Sequence, residues 1–172
     1  MSHRFTRIAV VSLVALLIPG LAAADGVGWR GWGPRGGLSS DPDQFVGGVH
    51  FDLGEFVPHL RFQPSVEIGI GDNTTTLQGN FMVAWYFPIE AKVTPYAGGS
   101  VSVAFYDFDA DCRGFGGSTA SGGVCDDSET EIGPVGVGGI EMELSGKTRF
   151  FAELQLGFGD LPEAKVIAGW IF

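Results

Sequence analysis

The stretch that decides the fold runs from Leu60 to Ile70: Leu-Arg-Phe-Gln-Pro-Ser-Val-Glu-Ile-Gly-Ile. Leu60, Phe62, Pro64, Val66, Ile68 and Ile70 fall in one phase of a two-residue period, and Arg61, Gln63, Ser65, Glu67 and Gly69 fall in the other. Successive side chains of a strand point to opposite faces, so this segment has one wholly apolar face and one polar or small face. No window after Ala24 sustains the 3.6-residue period of an amphipathic helix, so the chain reads as all-β.

The same split extends to both sides of this stretch. Segment 44–53 sets Phe45, Val49, Phe51 and Leu53 against His50 and Asp52, and segment 77–87 sets Leu77, Phe81, Val83, Trp85 and Phe87 against Gln78, Asn80 and Tyr86. After Pro95 the apolar phase is Ala97, Val101, Val103 and Phe105, opposite Tyr96, Ser100, Ser102 and Tyr106. Further on, Phe150, Ala152, Leu154, Leu156 and Phe158 oppose Arg149, Glu153 and Gln155. The last segment sets Val166, Ala168, Trp170 and Phe172 against Lys165 and Gly169. Two segments alternate less cleanly. Segment 27–38 is glycine-rich, with Trp32, Pro34 and Leu38 opposite Arg35. Segment 132–144 sets Ile132, Pro134, Ile140, Met142 and Leu144 against Glu141 and Glu143, and its Gly-Val middle fits either phase. Together these make eight strands, each near the roughly 9 to 11 residues that a tilted membrane strand needs.

The first residues follow a different pattern. Arg4 and Arg7 precede an apolar run over 8–18, then Pro19-Gly20 and Ala22-Ala23-Ala24. This layout predicts a secretory signal over 1–24, cleaved after Ala24, with one domain over 25–172. The run is shorter than the roughly 20 residues of a spanning helix. Cleavage removes two basic residues and no acid, taking the formal charge from -10 to about -12. Such a surface is a poor match for nucleic acid, and it lacks the clustered Lys and Arg of a module that binds anionic lipid. Membrane association would have to come from apolar surface, and a positive mean hydropathy, 28 glycines and 12% aromatics fit a chain that meets lipid one strand face at a time.

Alternation alone does not say which face is inside. In a secreted soluble barrel of the lipocalin kind, the apolar phase would point inward and line a ligand cavity. Three features favour lipid outside. The polar phase is rich in Gly, Ser, Gln and Tyr, where a water-facing surface would carry more Lys and Glu. Aromatics gather near strand ends (Phe45, Phe51, Trp85, Phe87, Phe105, Phe158, Trp170, Phe172), as interfacial girdles require. The last alternating run reaches Phe172 without a polar tail. With an even strand count both termini share one side, expected to be periplasmic. The outer connections are then 39–43, 71–74, 107–130 and 159–162, and the inner ones 54–58, 88–93 and 145–147.

Four stretches carry a resemblance: Trp32-Gly33-Pro34-Arg35, Asp41-Pro42-Asp43-Gln44, Asp52-Leu53-Gly54-Glu55, and Val166-Ile167-Ala168-Gly169-Trp170-Ile171-Phe172. With them the chain resembles the small bacterial outer-membrane β-barrels of the OmpA/OmpX type. The resemblance implies an eight-stranded antiparallel up-and-down transmembrane β-barrel with outer-membrane lipid as its surroundings. It also implies that the stripe Val166, Ala168, Trp170 and Phe172 is read by the barrel assembly machinery.

The inward phase collects Arg35, Arg61, Arg149 and Lys165 with Asp52, Glu67, Glu141, Glu143 and Glu153. The lumen of an eight-stranded barrel is just wide enough for side chains to fill it, and isolated buried charges are costly, so a charge-paired plug is expected in preference to a narrow channel. His50, Asp52, Ser100 and Ser102 share that phase and invite a hydrolase reading. However, residues i and i+2 of a strand lie about 7 Å apart, too far for a direct His-Asp bond, and no Gly-x-Ser-x-Gly elbow is present. No catalytic residue, cofactor or metal is expected. Asp107, Asp109 and Asp111 open the longest connection, and Asp126, Asp127 and Glu129 close it. Cys112 stands where an EF-hand loop needs Gly, and the twelfth-position Glu is missing, so a hydrated acidic loop is expected there. Cys112 and Cys125 are the only cysteines, and in an exported chain an even pair reads as a disulfide. On the chain-entropy model the closure contributes about 3 kcal/mol. The expected role is non-enzymatic, either structural or presenting loop 107–130 to an outside partner.

Overall fold

The computed structural model of the chain describes residues 27–71, 74–108 and 128–172. The expected signal segment and the tip of the longest connection, with Cys112 and Cys125, lie outside the described residues. Eight strands follow in order: β1 (Val27–Ser40), β2 (Gln44–Val57), β3 (Leu60–Ile70), β4 (Thr74–Tyr86), β5 (Val93–Phe108), β6 (Ser128–Ser145), β7 (Thr148–Gly157) and β8 (Ala164–Ile171). Each pairs antiparallel with the next in sequence, and β1 pairs with β8, so the sheet closes on itself. The seam ends where the Phe172 N–H donates to the Trp32 carbonyl at 2.9 Å. Closure removes the free edges that would otherwise expose unpaired backbone groups.

β1 begins and β8 ends at the same end of the barrel. That end also carries the short turns Pro58-His59 and Gly146-Lys147 and the connection 87–92, and is called the turn end. The opposite, loop end carries 41–43 and 158–163, and there β3 and β5 end and β4 and β6 begin.

The alternation of the sequence fixes which side chains meet outside. Val66, Ile68 and Ile70 of β3 stand exposed beside Leu77 of β4 and Phe45 of β2, and Val101, Leu154 and Val166 continue the belt. The other phase is buried: Gln63, Ser65 and Glu67 on β3, and Gln78, Asn80, Met82, Ala84 and Tyr86 on β4. This is opposite to the lipocalin-like arrangement, where the apolar phase would face inward. The ambiguous middle of β6 resolves the same way, with Val135 and Val137 buried in the lumen and Pro134 and Ile140 exposed outside. All four tryptophans, Trp29, Trp32, Trp85 and Trp170, are exposed on the outer face near the turn end.

Two boundaries differ from the sequence expectation. The inner connection expected over 54–58 is a two-residue turn, because β2 continues past Gly54 to Val57. The pairing slips between His50 and Glu55 and again between Glu55 and Val57. Gly54, at φ +85, absorbs that irregularity, and its N–H donates to Asp52 Oδ1 at 3.0 Å. A glycine that reads as a turn signal is here a bulge inside a strand. At the loop end, β5 and β6 remain paired as far as Asp107 with Ser128, so both strands run into the expected connection 107–130.

Candidate functional site

The polar side chains of the lumen form two charge clusters stacked along the barrel axis. The deep cluster joins Arg35 of β1, Glu67 of β3, Glu153 of β7 and Lys165 of β8. Arg35 Nε lies 3.1 Å from Glu67 Oε1, and Arg35 Nη2 pairs with Glu153 Oε1 on its other side. Lys165 Nζ donates to Glu67 Oε2 at 3.2 Å and also to Gln78 Oε1. Neutral donors complete the carboxylates: Tyr96 OH donates to Glu153 at 2.8 Å, Gln155 Nε2 to Glu153 at 2.7 Å, and Ser65 Oγ to Glu67 at 3.3 Å. Beyond Lys165 the bonding runs on through Gln78, Asn80, Ser65 and Ser102.

The rim cluster, nearer the turn end, joins Asp52 of β2, Arg61 of β3, Glu141 of β6 and Arg149 of β7. Arg149 donates to Asp52 at 2.7 Å and to Glu141 at 3.1 Å. Arg61 reaches from β3 across the lumen to Glu141 at 3.0 Å and lies 4.0 Å from Asp52. Its guanidinium sits 4.0 Å above the Tyr86 ring, which stacks on Tyr96 at 4.8 Å. Each cluster holds two cations and two carboxylates, so each is neutral in itself. Partners of opposite sign inside a low-dielectric lumen offset the desolvation that each would suffer alone. At the turn end Arg30 pairs with Glu55 at 2.9 Å, and Glu55 also lies 3.5 Å from Arg61.

Of the nine charged residues expected in the lumen, eight meet in these clusters. Glu143 does not: it is exposed and joins no ion pair among the described residues. It shares the phase of Glu141 and stays in register opposite Arg149, but it stands at the turn end of β6, where the side chain is exposed beyond the rim. The tyrosines, glutamines and Arg30–Glu55 pair that complete the network were not singled out from sequence. The inward phase was the available signal for Tyr86, Tyr96 and Gln155.

Glycine makes room for two of the large inward side chains. A Cβ on Gly139 would lie 2.6 Å from Tyr96 Cζ, and one on Gly169 would lie 2.7 Å from the Phe151 ring. Without these gaps Tyr96 could not lie flat enough to reach Glu153, nor Phe151 fill the lumen beside His50.

The hydrolase constellation does not assemble. The Asp52 carboxylate is taken by Arg149 and the Gly54 N–H, and both His50 ring nitrogens lack a hydrogen-bond partner among the described residues. Ser102 donates to Asn80, and Ser100 to the Val101 carbonyl. His59 sits in the turn at φ 71, its N–H on Glu55 and its ring 5.8 Å from Trp85. Among the described residues no group of three or more His, Cys, Asp or Glu is placed to hold a metal ion. The stripe Val166, Trp170 and Phe172 is exposed on the outer face of the last strand, with Ala168 half-buried between.

No family model matches the sequence, and no curated protein does. Among solved structures, the backbone structure of the Yersinia pestis outer membrane protein Ail in a phospholipid bilayer nanodisc aligns with TM-score 0.47 at 10% identity, over 83% of this chain and 97% of that one. The crystal structure of Neisserial surface protein A aligns with TM-score 0.61 at 14% identity, over 82% of this chain and 93% of that one. In fold this chain is a closed, all-antiparallel, eight-stranded β-barrel similar to Neisserial surface protein A.

Proposed function

We propose that this chain is an integral outer-membrane protein, non-enzymatic, with a lumen plugged by paired charges and a structural or surface-interaction role. The observation that carries this reading is the pairing of opposites on one sheet. A continuous apolar belt faces outward, and charged groups that neutralise one another fill the inside. Water on the outside would leave that belt unburied, whereas lipid accepts it. The tryptophans of the turn end support an interfacial girdle there. The turn end is then periplasmic and the loop end extracellular, which puts loop 107–130, closed by Cys112–Cys125, outside the cell. A partner would also meet an acidic rim there, formed by Asp41, Glu129, Glu131, Asp160 and Glu163. The signal over 1–24 is removed on export, and Val166, Ala168, Trp170 and Phe172 serve recognition by the barrel assembly machinery.

The plug follows from energetics. Opening a path for ions means separating buried partners, and each cation or carboxylate left alone costs about 3 to 5 kcal/mol. Planar bilayers holding the purified barrel are expected to stay silent; steady conductance would contradict the plug and favour a narrow channel for small solutes. The protein is expected in the detergent-soluble outer-membrane fraction, with heat-dependent migration on a gel. Recovery from the periplasm without detergent would contradict the membrane reading. Binding to surfaces with and without loop 107–130 tests the interaction role.

A further inference from the structure

His50 lies between the two charge clusters and belongs to neither. It is 2% exposed, and its ring stands edge-on to Phe151 at 4.7 Å. Neither ring nitrogen has a hydrogen-bond partner among the described residues, although a neutral imidazole carries one donor and one acceptor. Leaving both unmade inside a barrel costs free energy that native structures avoid almost everywhere.

The ring borders a small cavity, about 10 Å3 in the volume open to the centre of a water molecule. Arg35, Gln63, Tyr86 and Glu153 give the cavity a polar wall, and Met82, Phe151 and Ile171 close the rest. On the rim side, Tyr86 OH donates to Gln63 Oε1 at 3.1 Å and lies 3.3 Å from Glu141. On the deep side, Arg35 Nε lies 3.1 Å from Glu67 but off the line of a hydrogen bond. The cavity therefore sits at the break between two hydrogen-bonded systems, with unsatisfied groups on its wall.

We propose that this cavity is a built hydration site holding one water molecule, which bonds the His50 ring and joins the rim cluster to the deep cluster. The volume admits one water molecule. A site of this size needs two to four polar partners, and the wall supplies them. The water is then a structural member held by the wall and no part of a continuous water column. The water, with His50 as one of its partners, then makes the two neutral clusters one network.

The test uses the folded full-length protein in lipid nanodiscs, labelled with 15N and 13C at histidine. The chain has three histidines, His3, His50 and His59, and loss of one signal set in His50→Phe assigns His50. If that variant does not fold, His50→Gln gives the same assignment. The expected result is a cross-relaxation peak between water and the His50 ring protons, with the sign of a long-lived bound water, and ring-nitrogen shifts of a hydrogen-bonded imidazole. Both should survive a paramagnetic agent dissolved in the bulk water. A missing water peak with nitrogen shifts of an unbonded ring would overturn the site as dry. A water peak abolished by the paramagnetic agent would overturn it as part of an open pore.

Discussion

The deep cluster and the rim cluster have the same inventory, two cations and two carboxylates, but different surroundings. In the deep cluster the Arg35 side chain is 2% exposed and both of its carboxylate partners 1%, whereas at the rim Arg61 is 18% and Arg149 14% exposed. Arg30 and Glu55, further out at the turn end, are more open still. Asp52 at the rim is as buried as the carboxylates of the deep cluster, so it is the cations that are graded: the further a cation lies from the turn end, the less water can replace its lost partner.

Removing the centre of the deep cluster should break this gradient most severely. Glu67→Ala leaves Lys165 without its carboxylate and Arg35 with Glu153 alone, and is expected to cost about 3 to 5 kcal/mol, read as a fall in the urea midpoint of the lipid-embedded barrel. Pairing Glu67→Gln with Lys165→Met removes one charge of each sign and should restore most of that loss, since a buried pair replaced by neutral groups is often near neutral in stability. Arg149→Met at the rim leaves Asp52 and Glu141 with Arg61 as a remaining partner, and should cost about 2 kcal/mol by the same measurement. If it costs as much as Glu67→Ala, the two clusters do not differ as described. Gly139→Ala sharpens the account from the wall side. Its Cβ forces Tyr96 away from Glu153, and overpacking of that kind should cost roughly 1.5 kcal/mol. Arg30→Ala, at the exposed end of the series, should shift the midpoint by no more than about 0.5 kcal/mol.

The faces of the strands were legible in the sequence because strand periodicity is local. The stretch 60–70 shows its two faces without reference to any other residue, and β3 begins and ends at those residues. The partners inside the lumen were not legible, because they depend on how far neighbouring strands slide against one another. Arg35 meets Glu67 over β2 and Glu153 over β8, and Arg61 meets Glu141 across the barrel. No spacing along the chain encodes such meetings. Glu143 shows a further limit, since its phase matches Glu141 but its place at the turn end of β6 leaves it exposed. Gly54 shows another: a positive φ serves a turn or a bulge equally, and only the continuation of pairing to Val57 separates them. In the Gly-Val middle of β6, glycine on one face makes the apolar pattern two-sided, and the packing of Val135 and Val137 decides it.

On the proposed function the apolar belt faces lipid while the charges face inward. Tryptophan fluorescence in bilayers with brominated acyl chains tests it most directly, because Trp29, Trp32, Trp85 and Trp170 all stand on the outer face and are all the tryptophans the chain has. Strong quenching of the emission is expected when bromine is placed near the lipid headgroups, weaker quenching when it is placed at the bilayer centre, and little effect from a quencher dissolved in water. Emission that ignores the brominated lipid and is quenched from the water would contradict it.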